Sequence, residues 1–126
     1  MEVPVGNAPQ KGWTMSKKFE KFEKLASKGK GAAIARFIKS KDLDVVMDAI
    51  SALGKCGGED AINALTGLAN SAEKPLKIAA IKALGVCGGS YNSTLLADDL
   101  KKEKDPEILE AITNALGEIR KRIRTE

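Results

Sequence analysis

The sequence of 126 residues contains no histidine, and this absence excludes several kinds of catalytic site. No Cys-His or Ser-His dyad can form, and the favoured general base near neutral pH is missing. Two cysteines fall short of the four ligands that a structural zinc site needs. The sequence therefore predicts a protein that is not an enzyme and that uses no metal or other cofactor.

Aromatic residues are also scarce, at 4%, so the core is expected to be aliphatic. No apolar run approaches the roughly 18–20 residues of a membrane span, and no association with a membrane is expected. The first 14 residues show no basic cluster followed by an apolar stretch, which is the pattern of a secretory signal. Two cysteines without such a signal predict a reducing, cytoplasmic location.

A nine-residue stretch occurs twice and organises the rest of the chain. It reads Ile50-Ser-Ala-Leu-Gly-Lys-Cys-Gly-Gly58 and, 31 residues later, Ile81-Lys-Ala-Leu-Gly-Val-Cys-Gly-Gly89, with seven of nine positions identical. A weaker third copy begins at Ile112 and keeps the Leu-Gly pair. Self-similarity at a fixed period of this size indicates a solenoid of stacked units.

Each unit is predicted to contain two helices. The first helices are expected to begin near Asp42, Glu73 and Asp105, because an acid suits the positive end of a helix. The second helices are predicted at about 59–70 and 91–102, and two further helices at about 16–27 and 32–40. The third unit has only its first helix, which is expected to end near residue 122. About seven antiparallel helices are therefore expected in residues 15–126, as one all-α domain forming a right-handed solenoid, after a flexible tail at residues 1–14.

Glycines are predicted to have two roles in this architecture. Gly54, Gly85 and Gly117 would remove a side chain where neighbouring helices approach each other. The pairs Gly57-Gly58 and Gly88-Gly89 are expected to supply the positive φ that ends each helix. The equivalent Cys56 and Cys87 are predicted to be buried, inert residues rather than a disulfide.

The acid at the helix start, the Ala-Leu-Gly ending, the glycine turn and the 31-residue period together resemble HEAT repeats. The resemblance extends over about residues 32–122 and is closest to the short variety first noted in phycobilisome lyases. It implies a scaffold, since such repeats serve unrelated proteins. One enzyme of this kind, deoxyhypusine hydroxylase, binds iron through His-Glu pairs, and this chain lacks histidine. The constellation of acidic and aromatic residues used by HEAT-like DNA glycosylases is also not found.

In such solenoids the second helices of each pair line the concave, partner-binding surface. Aligning these helices places basic residues at one end, small and neutral residues in the middle and mixed charge at the other end. The acidic pair Asp98-Asp99 is interpreted as a solvated face. The predicted partner-binding residues are Arg36, Lys39, Asn63, Thr66, Gly67, Asn70 and Lys101.

The distribution of charge along the chain is also compatible with a second function. Residues 1–41 carry ten Lys or Arg against three acids, residues 42–105 carry seven against ten, and the remainder is balanced. The basic amino-terminal end and the cluster Arg120–Arg124 are compatible with nucleic-acid binding, although few aromatics are present to stack bases. The favoured prediction is a monomeric scaffold that binds an unidentified protein. The alternatives are nucleic-acid binding and an accessory, lyase-like subunit of a modifying enzyme.

Overall fold

A computed structural model describes residues 17–71 and 73–125. The predicted flexible tail at residues 1–14, and Trp13 within it, lie outside the described residues. The described part contains seven α-helices and no strand. Their bounds are α1 Lys17–Ser27, α2 Gly31–Ala35, α3 Leu43–Cys56, α4 Gly58–Ser71, α5 Lys74–Cys87, α6 Ser90–Lys102 and α7 Pro106–Thr125, with α2 continued by a 3-10 turn at Arg36–Lys39.

The helices stack in two rows, as the repeat predicts. The first helices α1, α3, α5 and α7 pack side by side in chain order. In the second row, α2 packs on α4, which also packs on α3 and α5, and α6 packs on α7. This arrangement confirms the all-α solenoid.

The predicted helix starts are also confirmed. Asp42 precedes α3, and its carboxylate accepts a hydrogen bond of 3.0 Å from the Asp44 amide. Asp105 does the same for Glu107 at 2.9 Å at the start of α7. Glu73 occupies the matching place before α5, but its side chain makes no capping bond. The three helices therefore share an acidic residue directly before the helix, but they do not share a capping hydrogen bond.

The core is aliphatic, as the scarcity of aromatics predicts. Its largest fully buried side chains are those of Phe22, Ile34, Ile50, Leu53, Leu65, Ile81, Ile112 and Ile119. The exception is the amino-terminal end, where Phe22 and Phe37 make an edge-to-face contact with ring centroids 4.9 Å apart. This contact ties α1 to the 3-10 turn and stands at the end of the stack.

The glycines of the Leu-Gly pairs lie where first helices are closest. A Cβ atom placed on Gly54 would lie 3.1 Å from the Cβ of Ala83, and one on Gly85 would lie 3.0 Å from the Cα of Ala115. The predicted close approach is thus present at both interfaces between units. At Gly117 nothing lies within 4 Å of such an atom, so the prediction of a close approach is wrong for the third copy, which faces no further helix among the described residues.

The two glycine pairs at the helix ends differ, which corrects one prediction. Gly57 and Gly58 have φ of 65° and 84°, as expected. Gly88 and Gly89 have φ of −72° and −121°, which other residues also adopt. Gly88 is required by space instead, because a Cβ atom there would lie 2.5 Å from the carbonyl oxygen of Leu84.

Arg122 fills the space beside this second turn. Its guanidinium donates hydrogen bonds of 2.6 Å to the carbonyl oxygens of Gly85 and Gly88. Both carbonyls are at the carboxyl end of α5, where backbone oxygens lack helical partners. The last helix therefore caps the preceding first helix.

The two cysteines are free and half-buried, so the burial predicted for them is only partial. Burial raises the pKa of both thiols, and at Cys87 the nearby Arg122 charge acts in the opposite direction. A raised pKa lowers the thiolate fraction at neutral pH, which agrees with inert residues.

Candidate protein-binding surface

The structure places the predicted binding residues on the outer sides of successive second helices. The predicted residues of α4 lie at helical spacing along its exposed side. Thr66 is half-buried and lies at the edge of this side. Asn63, Gly67 and Asn70 of α4 are exposed, as are Arg36 and Lys39 of the 3-10 turn and Lys101 of α6. We call this set, with Thr66, the second-helix face.

The middle of this face is open around Gly67. Nothing lies within 4 Å of a Cβ atom placed there, so the glycine leaves room above α4. The Thr66 hydroxyl donates to the Ile62 carbonyl oxygen at 2.7 Å, within its own helix. Thr66 therefore offers a partner its acceptor lone pairs rather than its proton.

A cleft separates α4 from α6, since these two helices do not pack closely against each other. It consists of two adjoining cavities of about 60 and 190 Å³ that share Ala69, Asn70 and Asp99. Thr66 and Asn92 line the smaller cavity, and Lys77 and Glu103 line the larger. The structure thus brings Thr66 and Asn70 together at one cleft, whereas Arg36, Lys39, Asn63, Gly67 and Lys101 lie outside its lining.

The charged lining of this α4–α6 cleft is mixed, with Asp98, Asp99 and Glu103 beside Lys77 and Lys102. Burial, and secondarily the charge of Asp98, raise the pKa of the Asp99 carboxyl above its usual value, while Lys77 and Lys102 act in the opposite direction. Lys102 pairs with Asp98 at 3.0 Å, and Lys77 approaches Glu103 at 3.5 Å. Asp98 is exposed, as the solvated-face interpretation expects, whereas Asp99 is half-buried at the cleft.

Asn92 is buried at the start of α6, with 4% of its surface exposed. Its Oδ1 accepts a hydrogen bond of 3.0 Å from the Gly89 amide, and its Nδ2 is buried without a hydrogen-bond partner among the described residues. The oxygen fixes the orientation of the side chain, because an amide N–H needs an acceptor. The site therefore contains one unsatisfied donor next to the cleft.

Sequence reasoning missed Asn92 and Asp99, although the repeat contained the signal for both. With the 31-residue spacing, Asn92 aligns with Ala61 and Asp99 with Leu68, and both of these α4 residues belong to its packed side. A polar residue at an aligned packing position indicates a local change in packing. Here that change is the cleft.

Other kinds of site find no support in the described residues. Within residues 17–71 and 73–125, no group of three or more cysteines and acids is placed to hold a metal ion. In the same part of the chain, no helix has the length and apolar content needed to cross a membrane.

Comparison with known proteins identifies the repeat. Residues 24–85 match the family model described as HEAT repeats. The match runs from α1 to the end of the second Leu-Gly pair, and α6 and α7 lie beyond it. No curated protein and no solved structure matches the chain.

Proposed function

Because residues 24–85 of this chain belong to the HEAT repeat family, we propose that it is a non-catalytic scaffold that binds a protein partner on the second-helix face. HEAT repeats generally mediate protein–protein interaction. The observation that carries the proposal is the open surface of α4, where Asn63, Gly67 and Asn70 are exposed beside the α4–α6 cleft. Stacked units present such surfaces as one extended binding area.

The chemistry of this face changes along the stack. Arg36 and Lys39 make the amino-terminal end basic, α4 offers neutral polar groups, and the cleft adds Asp99. A partner that follows the face would meet positive charge at the amino-terminal end and mixed charge, including Asp99 and Lys101, at the other end. This difference between the two ends favours one direction for a bound segment that carries acidic groups at one end only.

The absence of histidine from the chain supports the non-catalytic part of the proposal. We further propose that the protein acts in the cytoplasm, for which the two free cysteines are a supporting observation. We also propose that it is a monomer, and light scattering of the purified chain would test this by measuring its mass.

The binding face is tested with Gly67→Arg, which places a long charged side chain on the open surface of α4. Glu59→Arg is the matched control, because it adds an arginine at an exposed position in the first turn of the same helix. Each variant serves as bait for proteins of the native host, followed by quantitative mass spectrometry. Loss of a wild-type partner from Gly67→Arg alone is expected. Equal recovery with both variants would contradict the second-helix face.

Nucleic-acid binding is the second candidate, and the exposed Arg36 and Lys39 are the observation that favours it. Each phosphate contact releases counterions, so such binding falls steeply with salt. We expect any binding to labelled DNA or RNA to be negligible at about 150 mM salt. Sub-micromolar affinity there, abolished by Arg36→Glu with Lys39→Glu, would replace the scaffold proposal. An accessory, lyase-like subunit would instead show an enzyme among the recovered partners.

A further inference from the structure

A groove of about 400 Å³ lies between the first helices α3 and α5. It is lined only by residues of these two helices, so it is distinct from the α4–α6 cleft. The lining residues are Met47, Ile50, Ser51, Gly54, Lys55, Ala79, Lys82, Ala83 and Val86. We call this the α3–α5 groove.

The groove follows from the small residues at the helix crossing. Gly54 and Ala83 let the two helix backbones come close together, but neither residue has a side chain long enough to fill the space above the contact. The larger neighbours Met47 and Val86 stand at its two sides. The small residues Gly54 and Ala83 therefore bring α3 and α5 together and also leave the groove open above their contact.

The walls of the groove expose apolar surface. Val86 is 59% exposed and Met47 is 37% exposed, although both lie on helices whose other apolar side chains are mostly buried. Burying such surface against a partner is favourable, because it removes apolar atoms from water. The floor offers further apolar contact through Ile50 and Ala79.

All the charge on the lining is positive. Lys55 and Lys82 are its charged residues, and no acidic residue lines it. Lys55 pairs with Glu23 of α1 at 2.8 Å, whereas Lys82 makes no ion pair within residues 17–71 and 73–125. Lys82 also lines the adjoining groove between α5 and α7, so this residue borders both grooves.

We propose that the α3–α5 groove docks an acidic amphipathic helix of another protein. The stretch from Met47 to Lys55 spans about 12 Å, which matches roughly two turns of an occupant helix. Apolar side chains of the occupant pack between Met47 and Val86, and a carboxylate on its flank pairs with Lys82. This groove is separate from the second-helix face, so the test of one proposal does not decide the other.

The proposal is tested on the full chain with a labelled synthetic peptide of one helical segment. The peptide carries leucine at i, i+3, i+4 and i+7 with glutamate beside them, and binding is followed by fluorescence anisotropy. Val86→Glu is compared with Leu43→Glu, because Leu43 is 55% exposed on α3 but does not line the groove. Lys82→Glu is compared with Lys24→Glu, since Lys24 is exposed on α1.

We expect Val86→Glu and Lys82→Glu each to weaken peptide binding by about tenfold or more, with both controls near wild type. A peptide with lysine in place of glutamate should bind weakly to wild type and regain affinity for Lys82→Glu. No saturable binding up to about 100 µM, or equal binding to all four variants, would overturn the proposal.

Two results would assign the groove to another occupant and so also overturn the proposal. Dimerisation of the wild-type chain that is lost in Val86→Glu, measured by light scattering, would show a second copy in the groove. Tighter peptide binding by Trp13→Ala would show competition from the amino-terminal residues of the same chain.

Discussion

Arg122 and Gly85 are 37 positions apart, yet the guanidinium of one donates a 2.6 Å hydrogen bond to the carbonyl oxygen of the other. The same guanidinium reaches the Gly88 carbonyl at the same distance. The contact joins the carboxyl end of α7 to the carboxyl end of α5. It therefore ties the last helix to its neighbour at the end opposite the α6–α7 connection.

Arg122→Ala is expected to lower the free energy of unfolding by about 2 kcal/mol, because hydrogen bonds to charged groups contribute about 1.5–3 kcal/mol. Urea unfolding followed by circular dichroism measures the change. Arg120→Ala is the control, since Arg120 is exposed on the same helix, and it should stay within about 0.5 kcal/mol of wild type. Similar losses in the two variants would show that the contact contributes little.

Replacing Gly85 of α5 or Gly117 of α7 by alanine should change the free energy of unfolding in opposite directions. Gly85→Ala forces a Cβ atom to within 3.0 Å of Ala115 and is expected to cost about 1–3 kcal/mol, with Gly85→Leu costing more. At Gly117 nothing lies within 4 Å, so Gly117→Ala should stabilise α7 by about 0.5–1 kcal/mol. Thermal unfolding of both variants gives the sign. Equal shifts would contradict the close approach of α5 and α7.

The stability of the protein should depend on the size of the side chain at position 88, although the backbone angles of Gly88 are ones that other residues adopt. Gly88→Ala places a Cβ atom 2.5 Å from the Leu84 carbonyl oxygen and is expected to cost about 2 kcal/mol or more. Gly89→Ser is the neighbouring control, because its site is open and serine is a good residue before a helix. Retained stability in Gly88→Ala, measured by urea unfolding, would show that the space beside Gly88 does not require a glycine.

Asp99→Asn is expected to stabilise the protein at neutral pH. Burial and Asp98 raise the folded-state pKa of Asp99, so its ionised form is disfavoured in the folded state and opposes folding once the pH exceeds the unfolded value. The gain should be modest, below about 1 kcal/mol, and should disappear near pH 3, where the wild-type carboxyl is protonated. Melting temperatures at both values measure it. Asp98→Asn is the control: it removes the ion pair with Lys102 but also the charge that raises the pKa of Asp99, so its stability should stay within about 0.5 kcal/mol of wild type.

The helix positions were predictable because their signals are local. An acid before a helix and a glycine after its end each act within a few residues, so Asp42 and Gly57 could be interpreted without knowing the fold. The repeat also predicted the close approach of neighbouring helices at Gly54 and Gly85. It failed at Gly117, since the packing of that glycine depends on a helix that would follow.

The remaining errors concern backbone angles and packing, which the repeat pattern does not show. Gly88 and Gly57 have the same sequence context, but Gly88 is constrained by Leu84 and Ile119 and Gly57 by its own backbone angle. Asp99 lines a cleft because α6 packs on α7 and not on α4. The predicted second-helix residues stay a prediction, since exposure alone does not identify a partner.

Among the described residues, Gly117 is uncovered on the outer side of α7. At the two joins between units, a glycine on one first helix contacts an alanine on the next. A further first helix with an alanine at the matching position would therefore pack on α7 through the same contact, given apolar replacements for exposed neighbours such as Thr113. The surface beside Gly117 is thus a place where a designed repeat unit could be added.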